Sequence, residues 1–161
     1  MIIFIWGLPG AGKSTIGKTV SKRLNMPFYE MDDYLPKLFK EKMEKGELIT
    51  DEDRNSFFAN FTNILKEKDG DIVVSGYVAK KKHRDLLSEL GDLTFFELDV
   101  PENVLRERLK ARKEHFFKEE TLKKVLLNYE QLTDSIKIDA SKDIENVVKQ
   151  IVNSIKGDSH L

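Results

Sequence analysis

Cysteine is absent from this 161-residue chain. That excludes disulfide frameworks, thiolate metal sites and cysteine nucleophiles together, and it suits a reducing compartment. Charge of either sign is not in excess: 27 Lys and Arg against 28 Asp and Glu leave a formal net charge of -1, with a pI near 6.3. A protein that binds nucleic acid or a membrane surface through its overall field carries a basic surplus, so neither partner is expected. Long hydrophobic runs are lacking too. The apolar run at 1–6 is too short for a signal peptide or a membrane span, and neither a basic leader nor a cleavage-like site accompanies it. A cytoplasmic location is therefore expected. No repeat, low-complexity tract or linker breaks the chain, and its length suits one domain spanning 1–161 with a core that needs no staples.

What is present is an alternation. Apolar runs of strand length at 2–6, 28–30, 72–75, 93–98 and 136–138 are separated by stretches of helical periodicity. This is the pattern of an α/β fold with a parallel sheet. Helices are expected at 14–24, over 33–68 with a break near 46–50, and at 80–90, 101–112, 119–129 and 141–155. Asp51 is the expected N-cap of the segment after the break, and Pro101 suits the first turn of its helix. The last helix carries Ile144, Val147, Val148, Ile151, Val152 and Ile155 at the spacing of one buried face.

The first strand runs into Gly7-Leu8-Pro9-Gly10-Ala11-Gly12-Lys13-Ser14, followed by Thr15. The spacing G-x-x-x-x-G-K-[ST] between a strand and a helix is that of a phosphate-binding loop. Successive amides curl around a phosphate, glycines permit the close approach, and the helix N-terminus adds a favourable dipole. Lys13 supplies a point charge to the outer phosphates, and the Ser14 hydroxyl suits Mg²⁺. A chance glycine-rich turn would need neither the flanking elements nor the Lys-Ser pair. Other nucleotide users are short of their own signals here. No N-K-x-D follows a later strand, as a GTPase would require, and the third strand ends in Ser75 rather than an aspartate. These absences tilt the reading toward a kinase, with ATP as the default nucleotide.

A kinase needs an acceptor hydroxyl and a group to take its proton. Asp32 and Asp33 follow the second strand, at the end of the sheet that faces ligands in such folds. Either carboxylate suits a base or a metal contact; helix capping is the plainer alternative. Arg54, at a helix start, suits either solvent or a ligand. Lys80 and Arg84 follow the third strand, where they form a solvated face or grip an anionic acceptor. Arg108 and Arg112 are four apart on one helical face and suit a joint phosphate clamp ahead of a lid at about 112–120.

Taken in order, these segments resemble the gluconate kinases of the shikimate-kinase-like P-loop group. Phe28-Tyr29-Glu30-Met31-Asp32-Asp33 is similar to that family's F-Y-D-x-D-D. Lys42-Met43-Glu44-Lys45-Gly46 with Asp51-Glu52-Asp53-Arg54 is similar to K-M-x-x-G-x-P-L-x-D-x-D-R, and Arg108-Leu109-Lys110-Ala111-Arg112-Lys113-Glu114-His115-Phe116 to the lid R-x-x-x-R-x-x-H-F. The resemblance implies a five-stranded parallel sheet in order 2-3-1-4-5 with a short helical lid. It implies ATP and Mg²⁺, a small sugar acid such as gluconate as acceptor, and a homodimer among its assemblies. By the same likeness Lys13, Asp32 and Arg112 are catalytic, Ser14 and Asp32 face the metal, and Asp32, Asp33, Arg54, Tyr77, Lys80 and Arg84 face the acceptor. The alternatives are shikimate or another small metabolite as acceptor, and a nucleotide-binding regulatory module without catalysis. Against shikimate, Ser75-Gly76-Tyr77 stands where G-G-G would follow the third strand. The departures gather on the acceptor side: Leu35 for histidine, Leu48 for proline, Ser56 and Phe57 for proline and tryptophan, and Tyr77 for a small serine.

Overall fold

The computed structural model describes residues 1–112 and 119–158. Five strands form one parallel sheet, β1 (Ile2–Trp6), β2 (Phe28–Glu30), β3 (Ile72–Gly76), β4 (Leu93–Asp99) and β5 (Ile136–Asp139), in the order β2-β3-β1-β4-β5. The order is the one the resemblance implies. β1 is central, pairing Ile5 with Ser75 of β3 and with Phe96 of β4. With sheet on both sides and helices on both faces, Ile3, Phe4, Ile5 and Trp6 are all buried, which is why β1 reads as a continuous apolar run rather than an alternation.

The helices are α1 (Lys13–Leu24), α2 (Lys37–Glu44), α3 (Asp51–Lys66), α4 (Lys81–Ser88), α5 (Glu102–Ala111), α6 (Glu119–Asn128) and α7 (Ile144–Asp158), with a 3₁₀ turn at Met31–Tyr34. They divide the core in two. One face of the sheet packs Ile16 and Val20 of α1, Leu105 and Leu109 of α5, and Val148 and Ile151 of α7. The other packs Phe39 of α2, Phe57, Phe58 and Phe61 of α3, and Leu87 of α4. Phe57 and Phe61 stack with ring centroids 5.6 Å apart.

Several boundaries differ from expectation by a few residues, among them the helix expected from 33, which begins at Lys37 after the 3₁₀ turn, and that of Pro101, which caps α5 instead of opening it; two more have a clear cause. Thr50, not Asp51, caps α3: its hydroxyl accepts from the Asp53 amide at 3.2 Å, and Asp51 is already helical. The start of α7 lies later than 141, because Asp143 takes the Asn146 amide at 2.7 Å and so caps the helix there. Ile144, one of the six apolar positions, is consequently half-exposed, while the other five are buried. Of the lid segment at 112–120, residues 113–118 lie outside the described residues, and His115 with them. No helix among the described residues is long and apolar enough to cross a membrane.

Candidate active site

All five strands are parallel, so their C-terminal ends share one edge of the sheet, the edge at which such folds bind ligands. The loop after β1 rises from it. Gly10 and Gly12 hold φ of +88° and +90°, in the region that side chains with a Cβ avoid. At Gly10 a Cβ would also stand 3.1 Å from the Leu105 carbonyl oxygen. Arg108 of α5 braces the loop from behind, donating to the carbonyls of Gly10 at 3.1 Å and Ala11 at 3.4 Å. Turning those carbonyls toward Arg108 suits the amides that follow, at the start of α1, to face an anion, while the Ala11 amide donates to the Leu8 carbonyl at 3.0 Å.

Lys13 opens α1 and is half-buried. Burial holds its ammonium below the ordinary lysine range. The Asp32 carboxylate opposes that shift, Arg112 adds to it, and Glu30 opposes it. Four charges are thus gathered around one point. The Ser14 hydroxyl donates to the Glu30 carboxylate at the end of β2. Glu30 is the group that the sequence reading overlooked. Its signal was there: it occupies the first acidic position of the F-Y-D-x-D-D likeness, immediately before the strand ends. Ser14 and Glu30 thus bring hard oxygens together at the loop, of the kind that suits Mg²⁺.

The loop stands between two depressions. On one side, Thr15, Arg108, Arg112, Ala140, Lys142 and Ile144 line a groove with Gly10 and Gly12. On the other, Pro9, Lys13 and Asp32 border a cavity walled by the 3₁₀ turn, α2 and α3. Arg54, Tyr77 and Glu47 also line that cavity, and most of the remaining wall is apolar. Val125 of α6 closes one side, and Lys124 ties α6 to the loop after α2 by donating to the Gly46 carbonyl at 3.1 Å. The Tyr77 hydroxyl is buried and without a hydrogen-bond partner among the described residues, and burial pushes its pKa above the ordinary phenol range, against the pull of Arg54.

The structure brings Lys13, Asp32, Arg54 and Tyr77 to one cavity. It does not bring Asp33, Lys80 or Arg84 there. Asp33 points outward from the 3₁₀ turn and is exposed. Lys80 lies 3.9 Å from Glu130. Arg84 is 6% exposed and spends its guanidinium on backbone, donating to the carbonyls of Val78 at 2.8 Å, Glu130 at 2.7 Å and Gln131 at 3.2 Å. An acceptor contact was expected of it; it clamps instead the loop that carries Tyr77. Trp6 donates to the same Val78 carbonyl at 3.3 Å and packs its indole 5.6 Å from the Tyr77 ring.

Arg84→Ala would take a charged donor from three carbonyls, of which that of Val78 keeps the Trp6 indole and those of Glu130 and Gln131 sit on exposed residues. A hydrogen bond to a charged group contributes ~1.5–3 kcal/mol, so a loss of about 2 kcal/mol is expected. For a chain of this size that is a fall of roughly 4–8 °C in Tm. Thermal melting beside acceptor kinetics checks this: a native Tm with a raised acceptor KM would make Arg84 a ligand contact after all.

His83 belongs to the same scaffold. Its Nε2 lies 2.7 Å from the Asn55 amide oxygen, and its ring stacks on Phe58 at 4.5 Å. Burial, with Lys82 and Arg54 nearby, pushes its pKa down to about 4. It is neutral near pH 7, which leaves it a packing and hydrogen-bonding part.

The shikimate kinase family model matches residues 9–156, from the phosphate loop to the last helix. The chain belongs to the shikimate kinase family. Its relatives include proteins named gluconokinase and shikimate kinase. It is 34% identical to the thermoresistant gluconokinase of Escherichia coli (strain K12), covering 96% of this chain and 93% of that one. It is 32% identical to the shikimate kinase of Clostridium beijerinckii over 96% and 92%. The crystal structure of a gluconokinase from Sinorhizobium meliloti 1021 superposes with a TM-score of 0.81 at 28% identity, covering 98% and 97%. As a shikimate kinase family member the chain is an ATP-dependent phosphotransferase acting on a small molecule, as its phosphate loop suggests.

Proposed function

We propose that this kinase moves the γ-phosphoryl group of ATP to a hydroxyl of a small sugar acid of the gluconate type. The observation that carries the reading is that Lys13 and Asp32 border one cavity together with Arg54. The acceptor hydroxyl oxygen forms the new P–O bond as the bond to the β-phosphate oxygen breaks. ADP leaves, and the hydroxyl proton passes to the Asp32 carboxylate. Loop amides and Lys13 hold the transferring group, and Arg112, close enough to perturb Lys13, adds positive charge where negative charge develops. Arg108 braces the loop in this account. Ser14, Glu30 and Asp32 would hold Mg²⁺, whose chemistry is to neutralise phosphate charge. The groove beside Thr15 and Lys142 takes the nucleoside end. Arg54 meets the acid's carboxylate, for which a guanidinium fork is well shaped.

Two features favour gluconate over shikimate. Gluconokinases recur among the relatives, and Gly76-Tyr77 stands in place of a run of three glycines. The test is ADP release with ATP and Mg²⁺ in the presence of gluconate, of shikimate, and of no acid. Release that requires an acid, with gluconate ahead of shikimate, is expected. ADP formation at the same rate with no acid present would return the chain to an ATPase or a regulatory module.

A further inference from the structure

Among the described residues, the acceptor cavity is short of hydrogen-bonding side chains. Its wall is built from Met31, Leu35, Phe39, Ile49, Phe57 and Phe58, five of which are buried members of the second core. Polar groups enter at few places. Lys13 and Asp32 stand at the phosphoryl end, and Arg54 adds one cation that makes no ion pair among the described residues. Tyr77 contributes a buried hydroxyl that has no partner among the described residues. Glu47 lines the cavity but is exposed to solvent.

A fully hydroxylated acid fits this inventory poorly. One hydroxyl is consumed at Asp32, the carboxylate at Arg54, and one further oxygen at Tyr77. Aromatic faces can cover C–H faces of a sugar chain, but the hydroxyls on its edges then need polar partners. A hydroxyl buried against carbon gives up its water and gains nothing, which costs about tenfold or more in affinity for each one. A methylene in the same place is favoured by the wall.

We propose that the acceptor is a deoxygenated sugar acid: a chain hydroxy acid with its carboxylate at Arg54, one oxygen at Tyr77, and at least one methylene against the Phe57 and Leu35 wall. This deepens the sugar-acid reading and rests on it. The reaction is unchanged, a phosphoryl group passing from ATP to one hydroxyl.

The experiment is a steady-state ADP-release series on the full chain with three acids: gluconate, 3-deoxygluconate and 6-hydroxyhexanoate. The last keeps the carboxylate and terminal hydroxyl and removes every hydroxyl between them. Mass spectrometry of the product confirms that phosphate is on the acid. A kcat/KM for 3-deoxygluconate at least about tenfold above that for gluconate is expected. Leu35→His, which puts a hydrogen-bonding ring into the wall, is expected to narrow that preference toward gluconate. Gluconate leading the series overturns this inference and leaves the sugar-acid reading standing. A ranking untouched by Leu35→His also overturns it, because wall chemistry would then not set the preference. No turnover with any of the three acids overturns both readings.

Discussion

Lys13→Ala is expected to lower kcat by at least about 10³-fold while the protein stays folded. The side chain opens α1 at the mouth of the phosphate loop and is only half-buried, so its loss leaves the apolar core intact. What disappears, on the proposed mechanism, is the loop's ammonium beside the transferring group. The surroundings show how much that charge is contested: burial and Arg112 work against it, while Asp32 and Glu30 hold it in place. Removing it leaves two carboxylates facing a triphosphate with no cation of the loop between them. Lys13→Arg should be little better, because a planar fork does not fit a position shaped for a point charge. Single-turnover phosphoryl transfer with circular dichroism as the folding control measures the effect. A fall of less than about tenfold with native spectra would remove Lys13 from the transition state.

Asp32→Asn should lower kcat by about 10²–10⁴-fold, the usual contribution of a positioned base, with ATP affinity altered by only a few-fold. The substitution keeps shape and hydrogen-bonding capacity but cannot take a proton. Asp32 is well placed for the task because the 3₁₀ turn after β2 carries it to the cavity border that Lys13 shares, whereas Asp33 next to it is exposed. ATP affinity by calorimetry and kcat with a saturating acid separate the two effects. Loss of ATP binding equal to the loss of rate would make Asp32 a metal or nucleotide contact only. An unchanged kcat would remove it from the chemistry.

Much of this arrangement was legible in the residues. The apolar runs give the strands, and a central strand buried on both faces explains why 2–6 shows no alternation. The phosphate loop announces itself by spacing, because the backbone conformation it needs at Gly10 and Gly12 tolerates little else. The acceptor side was harder to read for a physical reason. Arg84 stands where a ligand contact is expected, yet its partners are carbonyls at 78, 130 and 131, and a bond from a side chain to distant backbone leaves no pattern along the chain. Glu30 was passed over because a glutamate closing a short strand looks like an edge residue until Ser14 is seen against it. The cap of α3 moved by one residue because Thr50 and Asp51 are both good caps and only the geometry of the turn chooses between them.

The two-sided core has a consequence for how this enzyme can change. The phosphate loop is seated on the side of α1, α5 and α7, while the walls that meet the acceptor belong to the aromatic packing under α2, α3 and α4. The sheet separates most of the two, with Leu8 of the loop touching both. Replacing a ring beneath the acceptor draws on the stability of one compartment and leaves the mounting of the nucleotide machinery untouched. Taste and engine can therefore drift apart, so that lineages sharing one phosphoryl-transfer apparatus diverge in what they phosphorylate through a handful of side chains on a single side of the sheet.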